Sequence, residues 1–538
     1  MEYKKITIVL VALLLAASMP VLAGQKEVVG EATPLSVDHA TYVDANSILM
    51  FVTNTGALGR DLSDVFGYDA GTFYPFTTTE AINDGSNTTS PLYAAGLWMG
   101  GKVGGEIRVA MAEFAQEFWP GPMSGGTFIA DADTVSSYRV YKLYADSLAG
   151  NPNQDYAEWP TADGAPVDRD GHPLSMGDQT LWSVFNDANP AQHVVTTGGS
   201  TAPLGVEVHQ TVWSSDAVGE EAVIYVMYKM FNKGGNDIDD FYVSFWMDAD
   251  LGWASDDVFG CDTLDNVIYC YNGDNNDSSG GTAHYGVTPP AVGAKVLAGP
   301  VEPSMSDTAS FCGYELPDFV NLNMTGFQIY GGGGFPCDPD SAWQTYNIMM
   351  GMEMDSAVAA NGTRFHYPGD PVTGTGDIDT LPSEKKMLVS FGPLDFNPGD
   401  SQQLVVKMAV GQDADRLSSL TALRDILNAS SMIPTGVSDN NVDALPSSFR
   451  VSQNYPNPFN PSTTIGYSLP NRADVAIEIF NVLGQKITTV FEGTKPAGDH
   501  TAVWNGTNDA GKPVSSGVYF YRVSAGDHTQ TKKMMMVK

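Results

Sequence analysis

The chain has 538 residues and a formal net charge of −36, because 63 acidic residues face 27 basic ones. This balance argues against nucleic acid or an anionic membrane as a partner, since both are bound through Lys and Arg. Hydrophobic residues make up 43% of the chain, and 56 Gly with 32 Pro favour a turn-rich β protein over a helical bundle. A chain of this length forms about three to five structural units.

The N-terminus has the pattern of an export signal. Lys4 and Lys5 precede the apolar residues 6–17, and Ala23 ends a small-residue sequence of the kind that signal peptidases cleave. The apolar run is shorter than the roughly 20 residues that cross a bilayer, and no later run is long enough. We therefore expect residues 1–23 to be a cleaved signal peptide and the mature chain to have no transmembrane span.

Residues 24–433 form a strongly acidic region, which we call the ectodomain. Short runs of β-branched and aromatic residues recur along it, separated by clusters of Gly, Pro, Asn and Asp. These runs are residues 48–53, 138–144, 206–212, 222–231, 241–246, 386–391 and 403–410. The pattern predicts a mainly β fold of the large β-sandwich type, either as one unit or as two units with a boundary near residue 300.

The most acidic segment of the ectodomain predicts a cation site. Eleven Asp lie between residues 237 and 277, and no Lys or Arg occurs between Gly234 and Ala294. Carboxylates at this density repel one another, and Ca²⁺, which takes roughly six to eight oxygen ligands, is a common remedy. Hydrated turns rich in Asp are the alternative, and no EF-hand loop is present. The candidate ligands are Asp248, Asp250, Asp256, Asp257 and Asp262.

All four cysteines also lie in the ectodomain, at Cys261, Cys270, Cys312 and Cys337. An even number in an exported chain favours disulfides, and sequence alone leaves three pairings open. The pairing of nearest neighbours, Cys261 with Cys270 and Cys312 with Cys337, closes the shortest loops and is preferred. Zinc is disfavoured because the chain has no C-x-x-C pair and no closely spaced His partner.

No short catalytic motif is present. The chain has neither the H-E-x-x-H of zinc proteases nor the G-x-S-x-G of α/β-hydrolases. A polysaccharide hydrolase needs two carboxylates about 5–10 Å apart beside a groove, and the many Asp leave this alternative open. Trp119 and Trp159 precede prolines in extended segments. They are the Trp residues that we most expect to reach the surface, where they could stack on sugars.

A helix and a linker are predicted at the end of the ectodomain. Residues 434–446 are polar and bracketed by prolines, which is typical of a linker. Charge changes there as well, because residues 447–538 carry nine basic and six acidic side chains, a net +3, and the rest of the chain carries −39. The helix is predicted within residues 414–430, where leucines recur at helical spacing at Leu417, Leu420, Leu423 and Leu427.

Residues 447–538 read as a small β-sandwich. Residues 473–480 alternate apolar and polar side chains, and further strands are predicted at 498–504, 517–524 and 529–537. Turn signals rich in Gly, Asn and Asp separate these runs. About 90 residues with this rhythm predict a β-sandwich.

The same residues resemble a known family. The sequence from Asn454 to Pro461, N-Y-P-N-P-F-N-P, and the later motifs in 480–485, 516–521 and 532–534 resemble the type A C-terminal sorting domain of type IX secretion. That Ig-like module is also similar to one in flagellar hook-capping proteins. The residues that carry the resemblance are Asn454, Pro456, Asn457, Pro458, Phe459, Asn460, Pro461, Gly484, Gly517, Tyr519, Lys532 and Lys533.

The resemblance has implications for location and partners. It implies passage through the periplasm and an outer-membrane translocon that recognises residues 447–538, and it implies a secreted or cell-surface location. In that family the domain is often removed on attachment to the surface.

The ectodomain is similar to an uncharacterised region of bacterial surface proteins that carry the same tail, in residues such as 96–101, 116–121 and 248–252. We therefore favour a non-enzymatic role in adhesion, surface structure or glycan binding, with a secreted polysaccharide hydrolase as the alternative.

Overall fold

The computed structural model describes residues 39–431 and 450–537, apart from internal gaps. The predicted signal peptide and the linker at 434–446 lie outside the described residues, as do Pro456, Asn457, Pro458 and Asn460 of the C-terminal motif. The gaps are at residues 61–70, 80–81, 83–88, 114–116, 146–153, 169, 194–198, 280–281, 333, 357, 360–362, 452–453, 455–458, 460, 470–472, 483, 496–497 and 527.

The described part of the ectodomain is built almost entirely from strands. Four helices accompany them: α1 (Ala132–Val135), α2 (Gln154–Ala157), α3 (Ala342–Met349) and α4 (Arg416–Asn428). The strands are β1 (Ala40–Val43), β2 (Leu49–Thr53), β3 (Ala57–Leu58), β4 (Thr72–Phe73), β5 (Ala94–Val103), β6 (Glu106–Met111), β7 (Trp119–Pro120), β8 (Tyr141–Tyr144), β9 (Gln179–Asn186), β10 (Val206–Ser214), β11 (Val223–Asn232), β12 (Ile238–Asp248), β13 (Asp257–Asp262), β14 (Val267–Asn272), β15 (Asp277–Ser279), β16 (Thr282–Gly286), β17 (Ala291–Ala298), β18 (Val301–Phe311), β19 (Tyr314–Asn321), β20 (Gly326–Tyr330), β21 (Lys386–Phe396) and β22 (Ser401–Gly411).

These strands form two antiparallel sheets of nine strands each. Sheet 1 has the order β1-β2-β3-β5-β12-β21-β20, with β4 beside β2 and β6 beside β5. Sheet 2 has the order β13-β14-β17-β22-β11-β10-β9-β7, with β8 beside β9. The pairs β15–β16 and β18–β19 are separate hairpins. Each of the seven strand runs predicted in the ectodomain overlaps a strand, so the mainly β prediction is confirmed.

One hydrophobic core lies between the two sheets. It contains residues from Val43 near the start of the described chain to Val410 in β22. Strands on both sides of residue 300 lie in both sheets, because β20 and β21 complete sheet 1 and β22 lies inside sheet 2. The ectodomain is therefore one sandwich at that point, and the second unit that the sequence left open is not formed.

Sheet 2 is buried on both faces, which explains its long apolar runs. In β11, Ile224, Val226 and Tyr228 lie in the core between the sheets, while Val223 and Tyr225 lie in a second cluster on the outer face. Successive side chains of a strand point to opposite faces, so a strand covered on both sides is apolar throughout.

Helix α4 covers part of that outer face. Asp415 caps its N-terminus and accepts backbone N–H groups from Leu417 and Ser418 at 3.0 and 3.1 Å. Its buried residues include Leu420, Leu423 and Leu427. The helix predicted from the leucine spacing is thus confirmed, within one or two residues at each end. Among the described residues, none of the helices is long and apolar enough to cross a membrane.

The C-terminal domain is a separate sandwich with its own core. Its described strands are β23 (Arg450–Val451), β24 (Thr463–Leu469), β25 (Ala473–Asn481), β26 (Lys486–Lys495), β27 (Gly498–Trp504), β28 (Gly517–Ala525) and β29 (His528–Met536). One sheet has the order β23-β24-β27 and the other β26-β25-β28-β29. Alternate residues such as Val475, Ile477 and Ile479 fill the space between the sheets, as the alternation of residues 473–480 predicts.

Candidate functional site

The chain crosses from sheet 1 to sheet 2 in the acidic region that the sequence singled out. Strand β12 ends at Asp248, residues 249–256 form the crossing segment, and β13 begins at Asp257. In the β13–β14 register, Asp257 lies opposite Asn272. Asp277 begins β15 a few residues later. The topology thus gathers acidic residues that are up to 30 positions apart in sequence.

Four of these residues form what we call the carboxylate cluster: Asp250, Asp256, Asp257 and Asp277. Asp257 and Asp277 are fully buried, and Asp250 and Asp256 are half-buried. Burial raises the pKa of Asp257, and the charges of the other three members add to this rise. The like charges of the carboxylate cluster therefore lie together where water solvates them poorly.

Asp257 is the most deeply buried member with an unsatisfied oxygen. Its Oδ2 accepts a hydrogen bond from the backbone N–H of Leu251 at 3.0 Å. Its Oδ1 is buried and has no hydrogen-bond donor. Burial raises the pKa of Asp257 well above its ordinary value, the N–H of Leu251 opposes this rise, and the neighbouring carboxylates of Asp256, Asp250 and Asp277 add to it.

Asp256 shares this environment. Its Oδ1 is also buried without a hydrogen-bond donor. Burial raises the pKa of Asp256 to about 7, against a lowering by the amide of Asn272, and the charges of Asp277 and Asp274 add to the rise. Two consecutive residues, one ending a 3-10 turn and one beginning a strand, thus each present a bare carboxylate oxygen.

Asp277 holds the crossing segment in place. Its Oδ1 accepts the N–H of Trp253 at 3.0 Å and its Oδ2 accepts the N–H of Tyr285 at 2.8 Å. The carboxylate lies directly against Gly252, whose φ is +65° and which has no room for a β-carbon. Both oxygens of Asp277 are therefore engaged, and its part in the cluster is structural.

A buried cation beside β13 is paired with another carboxylate. Lys385 forms an ion pair with Asp379 in which both side chains are fully buried, and its Nζ also donates to the carbonyl of Leu381 at 2.8 Å. Asp379 in turn accepts the N–H of Phe259 in β13 at 3.0 Å. This ion pair fixes the loop before β21 to β13, so the charge of Lys385 is already taken up by Asp379.

Two of the five predicted ligands lie apart from the carboxylate cluster. Asp248 shares the outer face of sheet 1 with Trp246, two residues earlier, and its charge contributes to the raised pKa of Tyr330 on that face. Asp262 is at the far end of β13, about 16 Å from Asp257 at the rise of a strand. Its Oδ1 accepts the N–H of Leu264 at 3.0 Å, so it caps a turn.

The remaining predicted ligands are close without forming a tight acidic cage. Oxygens that share one Ca²⁺ lie within about 4.8 Å of one another, twice the metal–oxygen distance. In the described part of the chain, no three acidic residues of the carboxylate cluster meet that limit. Asp250, Asp256 and Asp257 are therefore neighbours whose oxygens are spread.

A group that does meet the limit was missed by the sequence reasoning. Asp168, Asp170 and His172 each offer a ligand atom within 4.8 Å of the others in an exposed turn. Asp168 accepts the backbone N–H groups of Asp170 and His172, both at 2.9 Å, so the group is already a hydrogen-bonded turn. The signal in the sequence was the D-x-D-x-H spacing.

A second buried polar group was also missed. Asp187 is fully buried and its carboxylate accepts the backbone N–H groups of Leu204, Gly205 and Val206. His193 lies beside it, with Nε2 2.7 Å from the carbonyl of Asp187. Glu117 is nearby, since the Asp187 charge adds to the rise that burial and Glu113 produce in its pKa. Because these residues are on different elements, no local motif marks them.

Cys261, Cys270 and Cys337 are free thiols in the structure. Cys261 lies opposite Ile268 and Cys270 opposite Phe259, so the two cysteines are diagonal neighbours in the β13–β14 pair. Diagonal positions are about 7–8 Å apart, which is beyond the reach of a disulfide without backbone movement. Cys312 is buried and Cys337 is exposed. The preferred pairing is therefore not formed.

The Trp residues differ from the expectation as well. Trp159 is buried, only 6% exposed, with its Nε1 donating to the carbonyl of Pro166. Trp119 is half-buried and donates to the carbonyl of Ile129 at 2.9 Å. The most exposed Trp among the described residues is Trp343, at 45%, in the first turn of α3. A proline after Trp thus did not predict exposure.

Within the C-terminal motif, the described residues first of all hold the domain together. The backbone N–H of Asn454 donates to Tyr521 Oη at 3.0 Å inside the sandwich. Phe459 is buried against Trp504, with ring centroids 5.5 Å apart, and Trp504 contacts Tyr519 at 5.3 Å. These contacts attach Asn454 and Phe459 of the motif to the core of the domain.

Other motif residues lie at the surface. Gly484 adopts φ +75° in the turn between β25 and β26, and Gly517 and Pro461 are exposed. Lys533 is exposed and Lys532 half-buried on β29, which is an edge strand. The last strand therefore offers a basic edge to solvent.

Comparison with solved structures gave only distant likenesses. A polysaccharide lyase matches at 8% identity and a TM-score of 0.19, over 62% of this chain and 34% of that one. Dimeric latent PorU from Porphyromonas gingivalis matches at 11% and 0.15, over 67% and 31%. PorZ, a surface component of the type-IX secretion system of the same species, matches at 12% and 0.13, over 70% and 44%. TM-scores this low do not indicate a shared fold, and the chain spans less than half the length of each.

No curated protein matches the chain. The C-terminal end of the chain does match a family model. This match agrees with the sandwich that the described strands β23–β29 form and with the buried motif residues. Residues 459–529, within the C-terminal domain, match the FlgD Ig-like domain.

Proposed function

We propose that this protein is exported to the cell surface or beyond it, and that residues 447–538 are a sorting module recognised by an outer-membrane translocon of the type IX kind. The observation that carries the proposal is a self-contained Ig-like domain with its own core, which includes Phe459 of the N-P-F-N-P motif. The acidic ectodomain is the cargo in this view.

The charge of the module supports a recognition role. The segment has a net charge of +3 against −39 for the rest of the chain, so it contrasts with its cargo. Asn454 and Phe459 are buried and maintain the fold, which leaves the exposed positions for contact with a partner. We infer that Lys532 and Lys533 on the edge strand β29 are among the residues that the translocon contacts.

Two versions of the chain test the proposal in a host that has type IX secretion. A chain that ends at Pro446 is expected to remain in the periplasm, while the full chain reaches the surface. Changing Lys532 and Lys533 to Ser is expected to lower surface delivery, and the matched change of half-buried Lys495 and exposed Lys512 to Ser is expected to leave it unchanged. Normal delivery of the truncated chain would refute the sorting role.

For the ectodomain we propose a non-enzymatic role in adhesion, surface structure or glycan binding. The exposed indole of Trp343 favours glycan binding, because a flat apolar ring at the surface stacks on sugar rings. On a glycan array, Trp343→Ala is expected to abolish any retention of the intact protein. The control Leu264→Ala removes another exposed apolar side chain, 92% exposed, and is expected to retain binding. Release of sugars from a polysaccharide panel would instead favour a hydrolase.

A further inference from the structure

We propose that the segment crossing between the two sheets binds Ca²⁺, with the side chains of Asp256 and Asp257 as its essential ligands. This site is independent of the sorting module, because it lies in the ectodomain and involves other residues. Its ligand class is a hard divalent cation, since every side chain offered is an oxygen donor.

The buried oxygen of Asp257 is the observation that separates this site from an ordinary acidic turn. A carboxylate in a turn is hydrated or accepts N–H groups, as Asp168 and Asp262 do. Asp257 is fully buried, accepts one N–H through Oδ2, and has no donor for Oδ1. The neighbouring Asp256 also has a buried Oδ1 without a hydrogen-bond donor. Leaving such groups unpaired is costly, so a partner is expected.

The charge balance requires that this partner be positive. The groups that act on Asp257 include Asp250, Asp256 and Asp277, and all three are acidic. His284 acts on Asp277, and Lys385 is held by Asp379. Among the residues that the structure describes, neither Asp256 nor Asp257 forms an ion pair, so we infer that a bound ion or a proton neutralises them.

Ca²⁺ fits this arrangement better than Mg²⁺. The acidic oxygens do not converge in threes within 4.8 Å, so the two carboxylates supply only part of the ligand shell. Ca²⁺ accepts irregular shells completed by backbone carbonyls and water, whereas Mg²⁺ demands a nearly ideal octahedron.

The position of the ion suggests what it does. Residues 249–256 connect β12 in sheet 1 to β13 in sheet 2, and Asp277 ties the same segment to β15. An ion on Asp256 and Asp257 therefore stabilises the place where the two sheets are joined. Ligands that bind only the folded state raise its stability by mass action.

Thermal unfolding of the full chain tests the site with the metal alone. In about 2 mM CaCl₂ the Tm is expected to be higher than in EDTA by several degrees, for a site filled about 100-fold above its dissociation constant. Asp256→Asn and Asp257→Asn are expected to abolish this difference. In EDTA both variants are expected to be at least as stable as the wild type, because each removes a buried negative charge.

Two controls keep the assignment specific. Asp262→Asn changes the other end of the same strand, and Asp168→Asn/Asp170→Asn removes the exposed turn. Both are expected to keep the full response to Ca²⁺. Terbium, which replaces Ca²⁺ and is excited through a nearby indole, is expected to luminesce with the wild type through Trp253 and not with Asp257→Asn.

Three results would overturn the proposal. The first is a Tm that is the same in CaCl₂ and EDTA. The second is an equal loss of stability of Asp257→Asn in both media, which would make the residue purely structural. The third is stabilisation by mild acid without any effect of Ca²⁺, which would identify protons as the neutralising partner. None of these outcomes bears on sorting by residues 447–538.

Discussion

The carboxylate of Asp277 lies so close to Gly252 that a β-carbon on Gly252 would be 1.9 Å from Oδ2. Gly252 also has φ +65°, a conformation that L-residues adopt at a cost. We therefore expect Gly252→Ala to destabilise the ectodomain by more than about 3 kcal/mol, through both strain and displacement of Asp277. Urea unfolding of the two proteins measures the difference.

The control for this change is Gly286→Ala. Gly286 has nearly the same backbone conformation, φ +66°, but nothing lies within 4 Å of its β-carbon position. Gly286→Ala is expected to lower the free energy of unfolding by about 1–2 kcal/mol, because only the strained backbone conformation contributes. Equal losses for the two variants would show that the contact with Asp277 is unimportant.

Tyr521→Phe is expected to destabilise the C-terminal domain by about 1–3 kcal/mol. The change leaves the buried N–H of Asn454 without the oxygen that accepts it at 3.0 Å. Tyr519→Phe is the matched control, because Tyr519 Oη donates to the carbonyl of exposed Ser515, which water can satisfy instead. The control is expected to cost less than about 1 kcal/mol. Thermal unfolding of residues 447–538, which have their own core, compares the two, and a larger loss for the control would contradict this account.

Protonation of His366 is expected to lower the stability of the folded protein in acid. Burial lowers the pKa of His366 to about 4 from its ordinary 6.5, although the charge of Asp379 acts in the opposite direction. Its Nδ1 accepts the N–H of Ile329 at 3.0 Å, which requires the neutral ring. The unfolded chain takes up this proton near pH 6.5 and the folded chain only near pH 4. The contribution of His366 to the free energy of unfolding is therefore complete above pH 6.5 and is lost as the pH falls from 6.5 to 4.

Urea unfolding at about pH 7 and pH 4.5 measures this loss. His366→Gln is expected to lose about 2–3 kcal/mol less than the wild type between the two values. His172→Gln, at a side chain that is 63% exposed, is expected to keep the wild-type difference. An unchanged pH dependence in His366→Gln would mean that this histidine titrates alike in both states.

The thiols give a further prediction. Cys337 is exposed, and burial raises the pKa of both Cys261 and Cys270. Because the thiolate is the reactive form, the native protein is expected to react with a thiol reagent once, at Cys337, and the denatured protein four times. Two or no reactive thiols after denaturation without reductant would restore the predicted disulfides.

Much of the fold could be predicted from local pattern. Strong periodicity predicts an element whenever the same face is buried along its length, as in β11, β25 and α4. The sequence pattern did not predict strand β5, because Gly96, Gly100 and Gly101 have no side chains that could form an alternation of apolar and polar residues. Gly96 is required by packing, since a β-carbon there would be 2.2 Å from the carbonyl of Ala112.

The sequence by itself determined that this chain is acidic, mainly β, and divided into an ectodomain and a C-terminal β-sandwich, because those properties follow from composition and from patterns within about ten residues. Tertiary structure alone decided which acidic residues meet. Strand pleating sends Asp248 to the outer face of sheet 1, strand length carries Asp262 away, and sheet pairing brings Asp277 to the crossing segment. Proximity among side chains on different strands depends on register and burial, which no local pattern contains.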